Sequence, residues 1–295
     1  MRRPAVAELS ARDRRVERSR RTLEFTIDAL IRPGSWAARL AYELGLQGRV
    51  HARMHRFDLG RLTRDALRPT LRIAFAADFH AGATTDERLL ADACRALAAF
   101  EPDLVLLGGD FVSVRASYID RLAPLLASIE PPLGKLAVLG NHDLRADRAT
   151  VLRGLSAAGV RVLDNEAARL PEPFDDITIC GMSDATRGNP RPDLAIDGAT
   201  GTRVVLMHSP EGLRAIGDRA FDLALCGHTH GGQVALPWGT PILMPGGGLN
   251  RQYASGLFSL DSERPKRLLV TNGVGCSTAP IRLFAVPEVH LCLIT

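Results

Sequence analysis

The sequence predicts an α/β protein in which two sheets pack together under a covering of helices, preceded by a helical extension. Three observations predict it. Between Leu71 and Leu163, short apolar runs alternate with helical stretches, the pattern of βαβ units with buried strands. The second half holds more strand-like runs than helices, which calls for a second sheet. The 295 residues are 46% hydrophobic and 24% charged, ordinary composition for a globular chain with a sizeable core. Aromatics are only 5%, so Leu, Val, Ala and Ile must do most of the packing.

Taken in order, residues 5–57 read as helical, with breaks at Pro33-Gly34 and near Gly48. Residues 1–69 are therefore expected to form a basic helical extension, and residues 70–295 the main domain. Leu71–Ala77 reads as a strand and Thr85–Phe100 as an amphipathic helix. Leu104–Leu107 is a buried strand, Tyr118–Ile129 a helix, Leu136–Leu139 a strand and Arg148–Ala158 a helix. Strands follow at Val160–Leu163, Ile177–Cys180, Val204–Met207, Leu223–Cys226, Val234–Leu236, Leu268–Thr271 and Val289–Ile294. The Pro- and Gly-rich stretch Pro237–Leu249 reads as a long loop, and loops of that length in compact domains are often functional.

Net charge is +4, unevenly spread: residues 1–72 hold 17 Arg against 8 acidic residues, and the remainder is net acidic. Two readings stay open for the basic segment. It is either a solvated helix surface or a face for phosphate, nucleic acid or an anionic membrane. Leu23, Phe25, Ile27, Leu30, Ile31 and Trp36 follow the Arg run. Residues 1–57 thus either lie peripherally on an anionic membrane or dock onto their own domain. No uncharged stretch approaches the ~20 residues that span a bilayer, and arginines from Arg12 to Arg21 break up any secretory signal. The five cysteines, Cys94, Cys180, Cys226, Cys276 and Cys292, are scattered without CxxC spacing. They suggest buried small hydrophobes in a reducing compartment rather than disulfides. The expected location is the cytoplasm, with peripheral contact at the inner membrane as the open addition.

Five of the eight His lie in short segments that directly follow expected strands. These segments also gather carboxylates and an amide: Asp78-Phe79-His80, Gly109-Asp110, Gly140-Asn141-His142-Asp143, His208, and Gly227-His228-Thr229-His230. Ligands of open α/β sheets bind outside the carboxyl ends of the strands, so five such segments would converge on one place. Carboxylate and imidazole without thiolate suit Mn, Fe or Zn. Asp78, His80, Asp110, Asn141, His208, His228 and His230 are too many for one tetrahedral ion and suit two, with one carboxylate bridging. Two ions about 3.5–4 Å apart can clamp a phosphoryl group and activate water for in-line attack. Asp-x-His places both side chains on one face of an extended segment, so each such pair, His228-x-His230 included, is expected to chelate one ion. Adjacent glycines let the backbone turn sharply near the ligands. An isolated His is more often a satisfied polar residue than a ligand, and His51, His55 and His290 take that reading.

On these segments the chain resembles the calcineurin-like metallophosphoesterase superfamily, over about residues 70–295. Within it the chain is similar to the bacterial single-domain branch that includes membrane-associated phosphohydrolases. Asn272-Gly273-Val274-Gly275 and the stretch through Pro280-Ile281-Arg282 and Pro287-Glu288 match that branch's C-terminal signature. Many members carry an N-terminal membrane or export segment where this chain has a basic helical one, which weighs against export. The resemblance implies a four-layer αββα sandwich of two mixed sheets flanked by helices. It implies Asp78, His80 and His230 on a first metal, Asn141, His208 and His228 on a second, and Asp110 between them. His142 would handle the leaving oxygen. Asp143 would either orient His142 or cap the following helix. Arg145, Arg251, Tyr253 and Arg282 lie near the motifs as phosphate contacts or as plain surface and structural residues. Asp184 resembles a family position without a chemical role.

The expected activity is therefore hydrolysis of a phosphate ester by a metal-bridging hydroxide, as a phosphodiesterase or pyrophosphatase on a small, nucleotide-containing or lipid-linked substrate. A nuclease or phosphoprotein phosphatase is the nearby alternative. Nucleic acid ranks lower, because two Trp and three Tyr are too dispersed to build a base-stacking platform. A non-catalytic metal-binding scaffold is the third reading, and its mark, a missing ligand, is not seen.

Overall fold

The computed structural model describes residues 22–59, 69–242, 244–261 and 266–295. The helix expected over residues 5–21, with its Arg run, lies outside these. The described part of the extension opens with α1, helical over residues 22–31, and continues after a turn at Pro33–Ser35 into α2 (Trp36–Glu43). The helical reading fails beyond this point: His51–Phe57 is a strand, β1. It pairs in parallel with the C-terminal strand over its whole length. Its side chains are mostly exposed, so no apolar alternation marks it. The backbone ladder alone specifies it.

The main elements follow the predicted order: β2 (Leu71–Ala76), α3 (Glu87–Ala99), β3 (Leu104–Leu107), α4 (Ile119–Ala127) and β4 (Lys135–Ala137). Next come α5 (Asn141–Arg145), α6 (Arg148–Ala157), β5 (Val160–Val162), β6 (Glu166–Arg169), β7 (Ile177–Gly181), α7 (Pro192–Ala195) and β8 (Thr202–Leu206). The last are α8 (Gly212–Ile216), β9 (Leu223–Cys226), α9 (Gly248–Gln252), β10 (Gly256–Ser259), β11 (Arg267–Val270) and β12 (Glu288–Ile294). Asp86 and Asp147 cap α3 and α6 by accepting from the Arg88 and Ala149 amides. Strands β6 and β10 are unpredicted, being short, half-exposed edge strands. The strand expected at Val234–Leu236 is absent. Val234 makes isolated bridges to Leu283 and Phe284, and Ala235 bridges Pro241.

Among the described residues, the strands form two six-stranded mixed sheets, ordered β1-β12-β2-β3-β4-β5 and β10-β11-β9-β8-β7-β6. Strands β2 to β5 run parallel, as do β7, β8, β9 and β11. Alternation along each strand sorts the apolar side chains into layers. Ile73, Phe75, Leu104 and Leu106 face Ile179, Val204, Leu206 and Leu225 between the sheets. Ala74, Ala76, Val105 and Leu107 point the other way, against Leu89 and Leu97 of α3, Leu122 and Leu126 of α4, and Leu155 of α6. Cys180, Val205, Ala224 and Leu268 meet Ala195 of α7 and Ile216 of α8 on the far side. The layer order is helix, sheet, sheet, helix, as expected. All five cysteines are free and buried, and burial raises the Cys226 thiol well above its usual value. No helix among the described residues is long and apolar enough to cross a membrane.

Candidate metal centre

Every motif segment leaves the carboxyl end of a parallel strand: β2, β3 and β4 in one sheet, β8 and β9 in the other. Packing the sheets face to face brings the five ends together. The loops turn abruptly there. Asp78, His80, Asp110, His228 and His230 all have φ between 43° and 72°, a left-handed conformation rare for non-glycine residues. Such strain persists only where the surroundings over-determine it. Close approach is also built in. A Cβ at Gly140 would overlap the Asp110 carboxylate, and one at Gly227 would overlap that of Asp78.

The side chains meet in three overlapping groups: Asp78, His80 and His230; His80, Asp110 and His142; Asp110, His208 and His228. Within each, one ligating atom per residue lies within 4.8 Å of the others. His80 Nε2 is 3.0 Å from His230 Nε2 and 3.5 Å from Asp110 Oδ2. His208 Nε2 is 3.3 Å from the same Asp110 oxygen, 3.1 Å from Asn141 Oδ1 and 3.1 Å from His228 Nδ1. His230 Nε2 lies 3.7 Å from Asp78 Oδ1. One expectation is corrected here. His228 and His230 fall in different groups, against the reading from strand alternation and in line with what the resemblance implies. The 3₁₀ turn at His230–Gly232 and the positive φ of both histidines replace the extended geometry that alternation assumed.

Electrostatics mark the centre as unusual. Burial, with the Asp110 charge adding to it, raises Asp78 to about 7. Burial opposes ionisation of Asp110 too, but His208, His142 and His80 around it hold its carboxyl well below the usual range. Burial pulls down His80, next to His142, and His230, next to His80 and Arg282. Asp110 outweighs burial at His208 and raises it well above its usual value. Several imidazole nitrogens and carboxylate oxygens packed at 3.0–3.7 Å are the donor set a cation site needs. The donor set suits divalent metal ions, and Asp110 belongs to two of the three groups.

His142 is buried beside this cluster, edge-on to His80 with ring centroids 4.7 Å apart. Its amide donates to Asp110 Oδ1 at 2.7 Å, and its Nδ1 lies 2.7 Å from the Ser113 carbonyl oxygen. Asp143 does not orient it. The Asp143 carboxylate accepts from the amides of Gly140, Phe111 and Val112, capping α5 and tying the Asp110 loop to the Asn141 loop. The capping alternative is therefore the one observed. Burial and the Asp110 charge raise Asp143 to about 7.

The remaining candidates separate. Arg282 is buried, donates to the carbonyls of Gly275, Ala285 and Asn272, and sits 3.1 Å from His230 Nδ1. Arg145 reaches His142 Nε2. Tyr253 packs on Phe258 instead, and Arg251 is exposed. Asp184 caps a turn by accepting from Thr186 and Arg187. His55 and His290 pair with each other at 3.0 Å across β1 and β12. Sequence reasoning missed Ser113, whose role is a backbone carbonyl, and Glu24, which contacts Arg145 from α1.

A family model described as calcineurin-like phosphoesterase matches residues 71–232. Phosphodiesterase YaeI of Escherichia coli K12 is 33% identical over 229 residues, covering 75% of this chain and 80% of that protein. An uncharacterised metallophosphoesterase, YkuE of Bacillus subtilis 168, is 30% identical, covering 64% of this chain and 66% of that protein. UDP-2,3-diacylglucosamine pyrophosphatase LpxG of Chlamydia trachomatis is 28% identical over 273 residues, covering 75% and 82%.

Proposed function

Because the chain belongs to the calcineurin-like phosphoesterases and is a metal-dependent phosphoric ester hydrolase, we propose that it uses two metal ions to cleave a phosphodiester or pyrophosphate. The observation that carries this is the position of Asp110, shared between one ligand group around His80 and another around His208 and His228. Asp78, His80 and His230 would hold one ion, and Asn141, His208 and His228 the other, with Asp110 between. Mn, Fe and Zn all suit this donor set. When bound, such a pair supplies Lewis acidity and an acidified water for attack on phosphorus.

The protein's own groups do the rest. His208, His142 and His80 keep Asp110 ionised. The Ser113 carbonyl anchors His142 through Nδ1, so Nε2 is the atom that handles the proton of the leaving oxygen. Asn141 and His228 keep partial exposure, which leaves one side open to substrate. Hydrolysis of bis-p-nitrophenyl phosphate with Mn²⁺, at two metals per chain, tests the reading. A fully loaded protein inactive on both diester and monoester would overturn it. His142→Ala is expected to slow turnover while leaving metal content intact.

The relatives named as phosphodiesterase and diacylglucosamine pyrophosphatase favour a lipid-linked or nucleotide-containing substrate, and a membrane surface as the meeting place. Leu23, Leu30, Trp36 and Leu40 of the N-terminal helices, and Leu44 just after them, expose large apolar side chains, which suits peripheral contact with anionic lipid. Trp36→Ala with Leu40→Ala should weaken binding to phosphatidylglycerol vesicles. Unchanged binding removes the membrane reading.

A further inference from the structure

Helix α1 is joined to the candidate centre by a chain of charged contacts. Glu24 and Asp28 stand four residues apart, on one face of the helix, and both are buried. Asp28 accepts from Arg115 Nε at 2.7 Å and from Tyr118 Oη at 2.8 Å, fixing the helix on the domain. Glu24 Oε2 lies 3.4 Å from Arg145 Nη1, with only 6% and 16% of the two side chains exposed. The other arm of the guanidinium, Nη2, is 2.6 Å from His142 Nε2. A guanidinium can only donate, so His142 Nε2 carries a lone pair here, and its Nδ1–H donates to Ser113. Arg145 Nε is buried with no hydrogen-bond partner among the described residues. The guanidinium thus keeps donor capacity at the wall of the centre.

We propose that Arg145 binds a phosphoryl oxygen of the substrate beside His142, and that Glu24 of the N-terminal helix is the positioning residue that aims it. An anionic phosphoryl oxygen is a stronger acceptor for a guanidinium than a neutral imidazole nitrogen, and the planar fork suits it. The oxygen would take the Nη2 donor that now faces His142 Nε2. Glu24 keeps the other arm in place while this exchange occurs. The extension is then part of the active site rather than an appendage.

This rests on the phosphoesterase reading, so the test separates the two. Turnover of bis-p-nitrophenyl phosphate with Mn²⁺, inhibition by inorganic phosphate and metal content are measured for wild type, Arg145→Ala, Arg145→Lys, Glu24→Gln, Glu24→Asp and the double variant Glu24→Gln with Arg145→Ala. Arg145→Ala should lower kcat roughly 10²–10³-fold, as loss of one transition-state donor does, and weaken phosphate inhibition. Glu24→Gln should lower kcat roughly tenfold, within the range for residues that orient an active group, with metal content unchanged. Lysine at 145 and aspartate at 24 should recover part of the loss. The double variant should be no slower than Arg145→Ala alone, because Glu24 acts through Arg145. Wild-type turnover in both single variants, or losses that multiply in the double, would overturn the proposal and leave the phosphoesterase reading standing. An inactive, metal-loaded wild type would overturn both.

Discussion

Asp110 is shared by two of the three candidate ligand groups, and its carboxylate also accepts the His142 amide. Asp110→Asn keeps the shape but removes the charge and one of the two carboxylate oxygens. Turnover should fall below detection and metal content below two per chain, by metal analysis of the purified variant. Asp78 makes a second prediction. Burial and Asp110 raise it from 3.8 to about 7, so in metal-free protein it is protonated below that pH. A metal ion must displace this proton. Affinity for Mn²⁺ should therefore weaken as pH falls below about 7, with proton release on binding that fades above it. Calorimetry in buffers of different ionisation enthalpy reads both. The strained φ values at five of the seven proposed ligands show that these positions serve the site at a cost to the loops.

At the scale of elements, the βα units of the first sheet are held by amphipathic helices. In α3, Leu89, Leu90, Ala93 and Leu97 are fully buried against β2 and β3. Leu97→Ala should destabilise the protein by about 2–5 kcal/mol, the range for a buried leucine cavity, without altering metal stoichiometry. Denaturant melts with metal analysis check both parts. The N-terminal helices behave differently. Helix α1 docks through buried Glu24 and Asp28, while Leu23 and Leu30 stay exposed. Its apolar periodicity therefore does not describe its buried face, and the sequence showed an amphipathic extension without showing which side meets the domain. The first sheet extends one strand beyond the sequence reading, because β1 is specified by its ladder to β12.

For the whole molecule, the centre sits where two sheets end, so metal ions would cross-link them. Asp78, Asp110 and Asp143 are all buried there. Cations bound to the folded state alone stabilise it by mass action, about 2.7 kcal/mol at a hundredfold excess over Kd. Chelation with EDTA should lower Tm by several degrees, with recovery on adding Mn²⁺. An unchanged Tm would mean that the metal ions add nothing to cohesion between the sheets.

The sequence by itself determined the fold class, the order of nearly every core element and the strand ends that carry the candidate ligands. Those are local properties: apolar periodicity, turn glycines, and chemistry concentrated after short strands. Strand alternation by itself would aim His228 and His230 together; the 3₁₀ turn with positive φ breaks that alternation and sets them in the separate groups that the family resemblance implied. Tertiary structure alone decided between the two roles open to Asp143, tying the Asp110 loop to the Asn141 loop, and it decided that Arg282 is buried behind His230 and that Glu24 reaches Arg145 across 121 positions of chain. Contacts between residues so far apart depend on how two sheets and a helix pack, and no spacing in the chain encodes them.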